Sequence, residues 1–538
     1  MLPKNSSLFD NNLKQAQEKS TFSWAFTYIM KSKLFLIFII SSIATPSVFC
    51  QPNLDSKSDY AWLFGYESAV INPNSVWFDF NKTPMQIKPI QRGGNGINFT
   101  FASICDKNGS LLLYTNGCAI LNSNHLTIKN GDTINFGKSF TISCPGGYSA
   151  QQGALFLPFP KDMSTFFLLH QFKDTSTNGF IINKNLRLSI IKRINNDFQV
   201  SLKDSIILKD TVDAGMTTGC RHANGRDWWI IQHEQYSNRR YKLFLDTNGI
   251  RLANEQFIGV PAIKGENGAG QAVFSPDGTK YVRYNFKSDV QIFDFDRCTG
   301  NLSNFIHIPI QDFADTMWQA GAAISPNSRF LYIPSSRYVY QFDLKSNNIA
   351  ASKLIVADWD GTGQNTPYPL LFNMAQLGPD GKIYMSCPNG VEYYHVIHSP
   401  DSIGKGCNVE QHIQLPVYIV SSFSGFPNYR LGSIKGSPCD TLTTATTELS
   451  IKGKLRIYPN PAQDIVKIDM TVADYNELDT HTLQVVDIVG RVHQMHPLSK
   501  FASIKEISVA GLVNGLYFVQ LVDKGGRVMA NSKVVVAH

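Results

Sequence analysis

Six times along the chain, a tight-turn signal runs straight into a strongly apolar, aromatic-rich stretch. The six are Asp106-Lys-Asn-Gly109 before SLLLYTNG, Pro160-Lys-Asp162 before STFFLLHQF and Ala223-Asn-Gly225 before RDWWIIQHE. They continue with Ser275-Pro-Asp-Gly278 before TKYVRYN, Ser325-Pro-Asn327 before SRFLYIPSS and Gly378-Pro-Asp-Gly381 before KIYMSCPNG. One acidic or Asn residue per turn stands at positions 106, 162, 224, 277, 327 and 380, so the intervals are 56, 62, 53, 50 and 53 residues. Proline fixes φ and glycine accepts the positive φ that other residues resist, which makes these segments turns by mechanism. A period near 50 residues, with each turn entering a buried strand, is what one propeller blade produces.

Six turns are visible. The strand around Asp59-Tyr-Ala-Trp-Leu-Phe64 and the segment near Phe426-Pro-Asn-Tyr429 could complete a seventh blade, closing the ring with both chain ends and removing exposed sheet edges. The expectation is therefore an all-β chain, a β-propeller of about seven blades over 51–436. Six or eight blades, an open β-solenoid or two packed sandwiches would share the composition. With 43% hydrophobic, 12% aromatic and 17% charged residues, the chain has ample material for packed cores and does not read as disordered.

The ends differ from this body. Met30-Lys-Ser-Lys33 precedes an apolar run, Leu34 to Ala44, followed by Pro46 and then Val48-Phe-Cys50-Gln51. The run is too short to span a bilayer and reads as a signal peptide within residues 1–50, cut between Cys50 and Gln51, with Met30 as a candidate start. A lipidated Cys50 is the rival reading, against which Phe49 is bulky for the position before such a cysteine. No transmembrane segment is expected in the mature protein. From Leu455 onward, LRIYPNPAQDIVKIDM, TLQVVDIVGRVH and ISVAGLVNGLYFVQLVDKGGRVMANSKVVVAH alternate apolar and polar residues between turn signals. That pattern predicts a small Ig-like β-sandwich over 455–538, after a Thr-rich linker at 437–454.

The formal charge of +7 includes five Lys against one Asp and one Glu in the first 50 residues, which leaves +4 on the remainder. There is no Lys/Arg run, so nucleic acid is not an expected partner. Eight of the nine cysteines remain after Cys50, and in an exported chain they read either as several disulfides or as buried thiols.

Chemistry is thin in the body. The densest reactive set is His222, Asp227, His233 and Glu234, where a histidine could act as general base with a carboxylate partner. The same groups, flanking a buried strand, read more readily as side chains that bind backbone. No D-x-D-x-D-G loop, H-E-x-x-H helix, G-x-S-x-G elbow or phosphate-binding loop occurs, so neither a metal nor a cofactor is expected. Trp318 and Trp359 lie in polar, loop-like stretches and are candidates for stacking on a sugar ring.

Two resemblances add to this. Tyr458-Pro459-Asn460-Pro461, the Asp487-x-x-Gly490-Arg-Val492 turn, Asn514-Gly515-Leu-Tyr517 and the closing Lys533-Val-Val-Val536 match, in order, the type A sorting domain of type IX secretion. The family usually closes on a basic residue, where this chain has Ala537-His538. The resemblance implies recognition by the type IX secretion machinery, passage through the periplasm and across the outer membrane, and a place at the cell surface or in the medium. CDKNGSLLLYTNG, RHANGRDWWIIQHE, FSPDGTKYV, FDFDRCTGNLSN and NYRLGSIKGSPCDTL resemble exported propeller-like proteins that carry such domains. The expected function is a binding or adhesion module without catalysis, with a surface polysaccharide or extracellular glycan as partner. A polysaccharide hydrolase or lyase on the same scaffold, and a structural surface-layer component, are the alternatives.

Overall fold

The computed structural model describes residues 57–538 except 67–73, 93–94, 176–180, 196, 264–269, 311–320, 389, 441–452, 470–480, 489, 499–503 and 524–527. The expected signal peptide with Cys50 and Gln51, most of the linker, and Trp318 therefore lie outside the described residues.

Seven antiparallel sheets follow one another along the body. The first two have three strands of their own and the remaining five have four, each sheet a simple meander. From the second sheet on, the first strand lies innermost: Ala102–Cys105, Ala154–Phe159, Thr218–Arg221, Gly270–Phe274, Ala323–Ile324 and Ala375–Leu377. Neighbouring inner strands touch around the ring. The fourth joins the third where the Thr217 N–H donates to the Gln152 carbonyl at 3.1 Å. The ring closes where Tyr384 of the seventh blade meets Trp62 of the first, ring centroids 5.4 Å apart. This is a seven-bladed β-propeller.

Each turn signal of the sequence is the connection from an inner strand to the next one out, so all six lie on one face, the turn face. In the turn of the fifth blade, the Gly278 N–H donates to the Ser275 carbonyl at 2.8 Å and the Asp277 carboxylate accepts the Thr279 N–H at 2.9 Å. Gly278 has φ +73°, a conformation that any side chain would strain.

The first blade is completed from the other end of the chain. Its strand Ala61–Phe64 runs opposite to the inner strands of the other blades, since Ser58 pairs with Cys105 at one end and Tyr66 with Ile97 at the other. The inner position is filled by residues 420–426, an extended segment that follows the last strand, Val409–Ile419. The Val420 N–H donates to the Gly65 carbonyl at 2.8 Å, and the Ser422 hydroxyl donates to the Phe99 carbonyl at 2.6 Å. Phe423 packs on Trp62 and Phe64.

The C-terminal region is a two-layer sandwich, a five-stranded sheet facing a three-stranded one. Its core is Leu455, Val466, Ile468, Leu483, Val485, Val519, Leu521, Val534 and neighbours, all apolar. The signature residues sit at structural junctions. The Asn460 amide donates to the Lys533 carbonyl at 3.0 Å and accepts the Val535 N–H at 2.9 Å, tying the turn after the strand Arg456–Tyr458 to the closing strand. Gly490, at φ +85°, closes its turn on the Asp487 carbonyl at 3.0 Å. Gly515 opens the strand Gly515–Val522, and the Tyr517 hydroxyl donates to the Val513 carbonyl at 3.0 Å. Among the described residues, no helix is long and apolar enough to cross a membrane.

Candidate functional site: a cavity on the propeller axis

The inner strands expose one backbone edge toward the axis, and those groups need partners wherever water is excluded. Two glutamines supply them. The Gln152 amide, from the third blade, donates to the Ala272 carbonyl at 3.0 Å and accepts the Ala272 N–H at 2.9 Å, reaching past the fourth blade to the fifth. Gln271, from the fifth blade, accepts N–H groups from Ala322 and Ala375, each at 3.0 Å, and donates to the Ala375 carbonyl in the seventh. Each side chain thus behaves as an extra peptide unit laid between blades that are not neighbours in the ring.

Between these bridges and the turn face lies a cavity of about 230 Å³. Its walls are the inner strands of the fourth to seventh blades, and its mouth is ringed by Pro276, Pro326 and Pro379 from three successive turns. The remaining wall is Phe426, Pro427, Asn428 and Arg430 from the chain after the last blade, together with Asp59 from before the first. Asp59 is buried and grips Arg430 through both oxygens, Nη2 to Oδ2 at 2.8 Å. The Asn428 amide donates to the Pro276 carbonyl at 2.7 Å. The cavity therefore offers ring faces, strand-edge backbone and uncharged amides, while its one carboxylate is committed to an arginine. Such a lining orients a neutral ligand and provides no free acid–base pair.

The four reactive residues of the sequence do not share this cavity or one another. His222 and Asp227 sit at the turn end of the strand Trp228–His233, with His233 and Glu234 at its far end. Six residues of strand at about 3.3 Å each place the two pairs roughly 17–20 Å apart. His222 donates from Nε2 to the Cys298 carbonyl at 3.0 Å and accepts the Asn224 N–H at Nδ1, 3.1 Å. Asp227 is held by Arg226 Nε and Asn224 Nδ2, both at 2.7 Å. His233 is buried, its Nε2 lies 2.8 Å from the Tyr281 hydroxyl, and burial pushes its pKa far down. Glu234 faces Arg239 at 3.3 Å. Trp359 is half-buried, its Nε1 donates to the Thr362 carbonyl at 3.2 Å, and the Arg337 guanidinium lies over its ring at 5.6 Å. It does not line the cavity.

Gln152, Gln271 and Arg430 were not legible as site residues. Proline-bearing turns and the Phe426-Pro-Asn-Tyr429 segment were, but as architecture. Two disulfides form, Cys118–Cys144 and Cys298–Cys439. Cys105, Cys220, Cys387 and Cys407 are buried free thiols, so both readings of the cysteine set hold in part. Cys387 lies 3.3 Å from His395 Nε2, but burial raises the thiol and lowers the imidazole to about 4, the opposite of an activated pair. Among the described residues, no group of three His, Cys, Asp or Glu is placed to hold a metal ion.

Known proteins resemble the two parts differently. No curated protein matches the chain in sequence. A solved structure of a putative 6-phosphogluconolactonase from Bacteroides uniformis is 13% identical, with 68% of this chain and 98% of that one covered, at a TM-score of 0.41. The β-propeller domain of Myceliophteria thermophila Cps50 (Swd1) is 9% identical over 62% of this chain and 94% of its own, at 0.33. A Lactobacillus plantarum protein is 11% identical over 68% and 99%, at 0.40. Residues 456–537 match the family described as the secretion system C-terminal sorting domain. The chain thus ends in a type IX secretion sorting domain, and the protein is one exported to the cell surface or beyond it.

Proposed function

We propose that the propeller is a non-catalytic binding module that takes a neutral residue of an extracellular glycan into the axial cavity. The observation that supports this is the lining: Phe426 and three prolines offer flat apolar surface to a sugar ring, and Gln376 and Asn428 offer amides to its hydroxyls. The separation of His222 and Asp227 from His233 and Glu234 weighs against a hydrolase built on those four. The export route in this reading starts with a signal peptide over 1–50, cut between Cys50 and Gln51. The functional body is 51–436, the linker 437–454 and the sorting domain 455–538.

Incubation of the purified protein with a panel of polysaccharides, with bound fraction and released sugar recorded together, tests the module. Saturable binding without product is expected. Gln376→Trp, which fills the cavity, should weaken binding at least about tenfold, or about 1.4 kcal/mol. Released sugar, or binding indifferent to Gln376→Trp, would overturn it. Deleting 455–538 should hold the protein in the periplasm, and N-terminal sequencing of exported material should begin at Gln51.

A further inference from the structure

After residue 426 the chain does not leave the ring but crosses its turn face as a strap. The Tyr429 hydroxyl donates to the Phe156 carbonyl of the third blade at 2.9 Å. The Ile434 N–H donates to the Ala223 carbonyl of the fourth at 2.8 Å. Arg297, buried in a loop of the fifth blade, donates to the carbonyls of Arg221, His222 and Gly432, and so ties two blades to the strap. The strap lies so close that a Cβ on Gly225 would sit 2.5 Å from the Ser433 nitrogen. It ends at Cys439, bonded to Cys298 in the same loop as Arg297. The His222 Nε2–H holds the Cys298 carbonyl in that same loop.

We propose that the Cys298–Cys439 disulfide is a redox clasp that holds the strap, and with it the inner segment of the first blade and one wall of the axial cavity, so that the cavity is complete only in an oxidising compartment. Individual hydrogen bonds along the strap contribute about 0.5–1.5 kcal/mol each and can open locally. The clasp joins residues 141 apart in sequence and so denies the strap the freedom to leave. Cys118–Cys144, with a separation of 26, stays within the second blade and its exit loop. The four remaining described cysteines are buried and do not compete for either partner. Closure converts two thiols to one disulfide. The two electrons and two protons pass to a disulfide-bearing oxidant of the export compartment, which leaves as a dithiol. This closure is independent of what the cavity holds.

Hydrogen exchange on the full chain tests it. In the Cys298→Ser/Cys439→Ser variant, the amides of Val420 and Ile434 should exchange about 100-fold faster than in the oxidised native protein, while Leu331 and Tyr332 of the sixth blade change by less than about threefold. If that variant does not accumulate, thiol reduction of the oxidised Cys118→Ser/Cys144→Ser protein, in which the clasp alone can open, gives the same readout. Unchanged protection at Val420 and Ile434, or an equal loss in every blade, would overturn the clasp. Strap release in a protein that binds no glycan in either form would keep the clasp and remove the glycan.

Discussion

The propeller and the terminal sandwich are both antiparallel β-structure, yet they are held together by different chemistry. Every buried side chain among the described residues of the sandwich is in the hydrophobic set, Tyr517 included. The propeller interior holds Gln152, Gln171, Gln232, Gln271, Arg240, Arg283, Asp213 and the histidines 170, 233 and 395. The contrast follows from geometry. Two flat layers face each other through alternate side chains, and apolar residues satisfy that arrangement alone. A ring brings six strand edges and the segment 420–426 to one axis, and backbone groups there must be bridged by side chains or left unpaired at about 1–3 kcal/mol each. Arg283 thus meets the Asp213 carboxylate at 2.9 Å with both side chains buried, and the Gln171 amide nitrogen lies within hydrogen-bond distance of the Asp213 and Gly215 carbonyls and of the Thr217 and Gln232 side chains.

Acid should separate the two regions most. Burial pushes His170 down to about 3 and His395 to about 4, and His233 well below its usual value. The unfolded chain takes up these protons near pH 6.5 and the folded propeller does not. Stability is therefore intact above that pH and falls as pH drops below it, by up to about 1.4 kcal/mol per pH unit for each histidine. Thermal melting between pH 8 and 5 should show the propeller transition falling steeply and the sandwich transition moving far less. Equal shifts would erase the contrast.

Next in size, Gln271→Ala strands two N–H groups and a carbonyl on the axis and should cost the propeller about 3–5 kcal/mol, whereas Leu483→Ala should cost the sandwich about 2–5 kcal/mol through its cavity. Denaturant unfolding followed separately in each region should show each substitution confined to its own. Smallest is Gly225→Ala. Its φ of +74° and the strap backbone beside it should together cost about 2 kcal/mol, read as faster exchange at Ile434.

The same contrast governs what was legible in advance. Alternation in the sandwich is local, so Asp487-x-x-Gly490 and the strands around Val466 and Val519 could be read directly. The propeller turns were legible for the same reason: Gly109, Gly225, Gly278 and Gly381 all have φ between +73° and +82°. The glutamine bridges carry no local signal, because Gln271 finds Ala375 only once the ring has closed. Cys298 and Cys439 likewise have no spacing to betray them. The spread of the reactive set has the converse reason: Asp227 and His233 are near in sequence, but an extended strand is the conformation that holds such neighbours farthest apart.

The bridged axis has one more consequence. A propeller with an open bore could let a polymer thread through or slide along it. Here Gln152 ties the third blade to the fifth and Gln271 ties the fifth to the sixth and seventh, behind a cavity whose mouth is on the turn face. In the proposed binding mode, a long glycan entering from the turn face would present a terminus or a side branch. Recognition of this kind counts chain ends rather than chain length, so at equal mass a highly branched polymer would saturate the protein at lower concentration than a linear one.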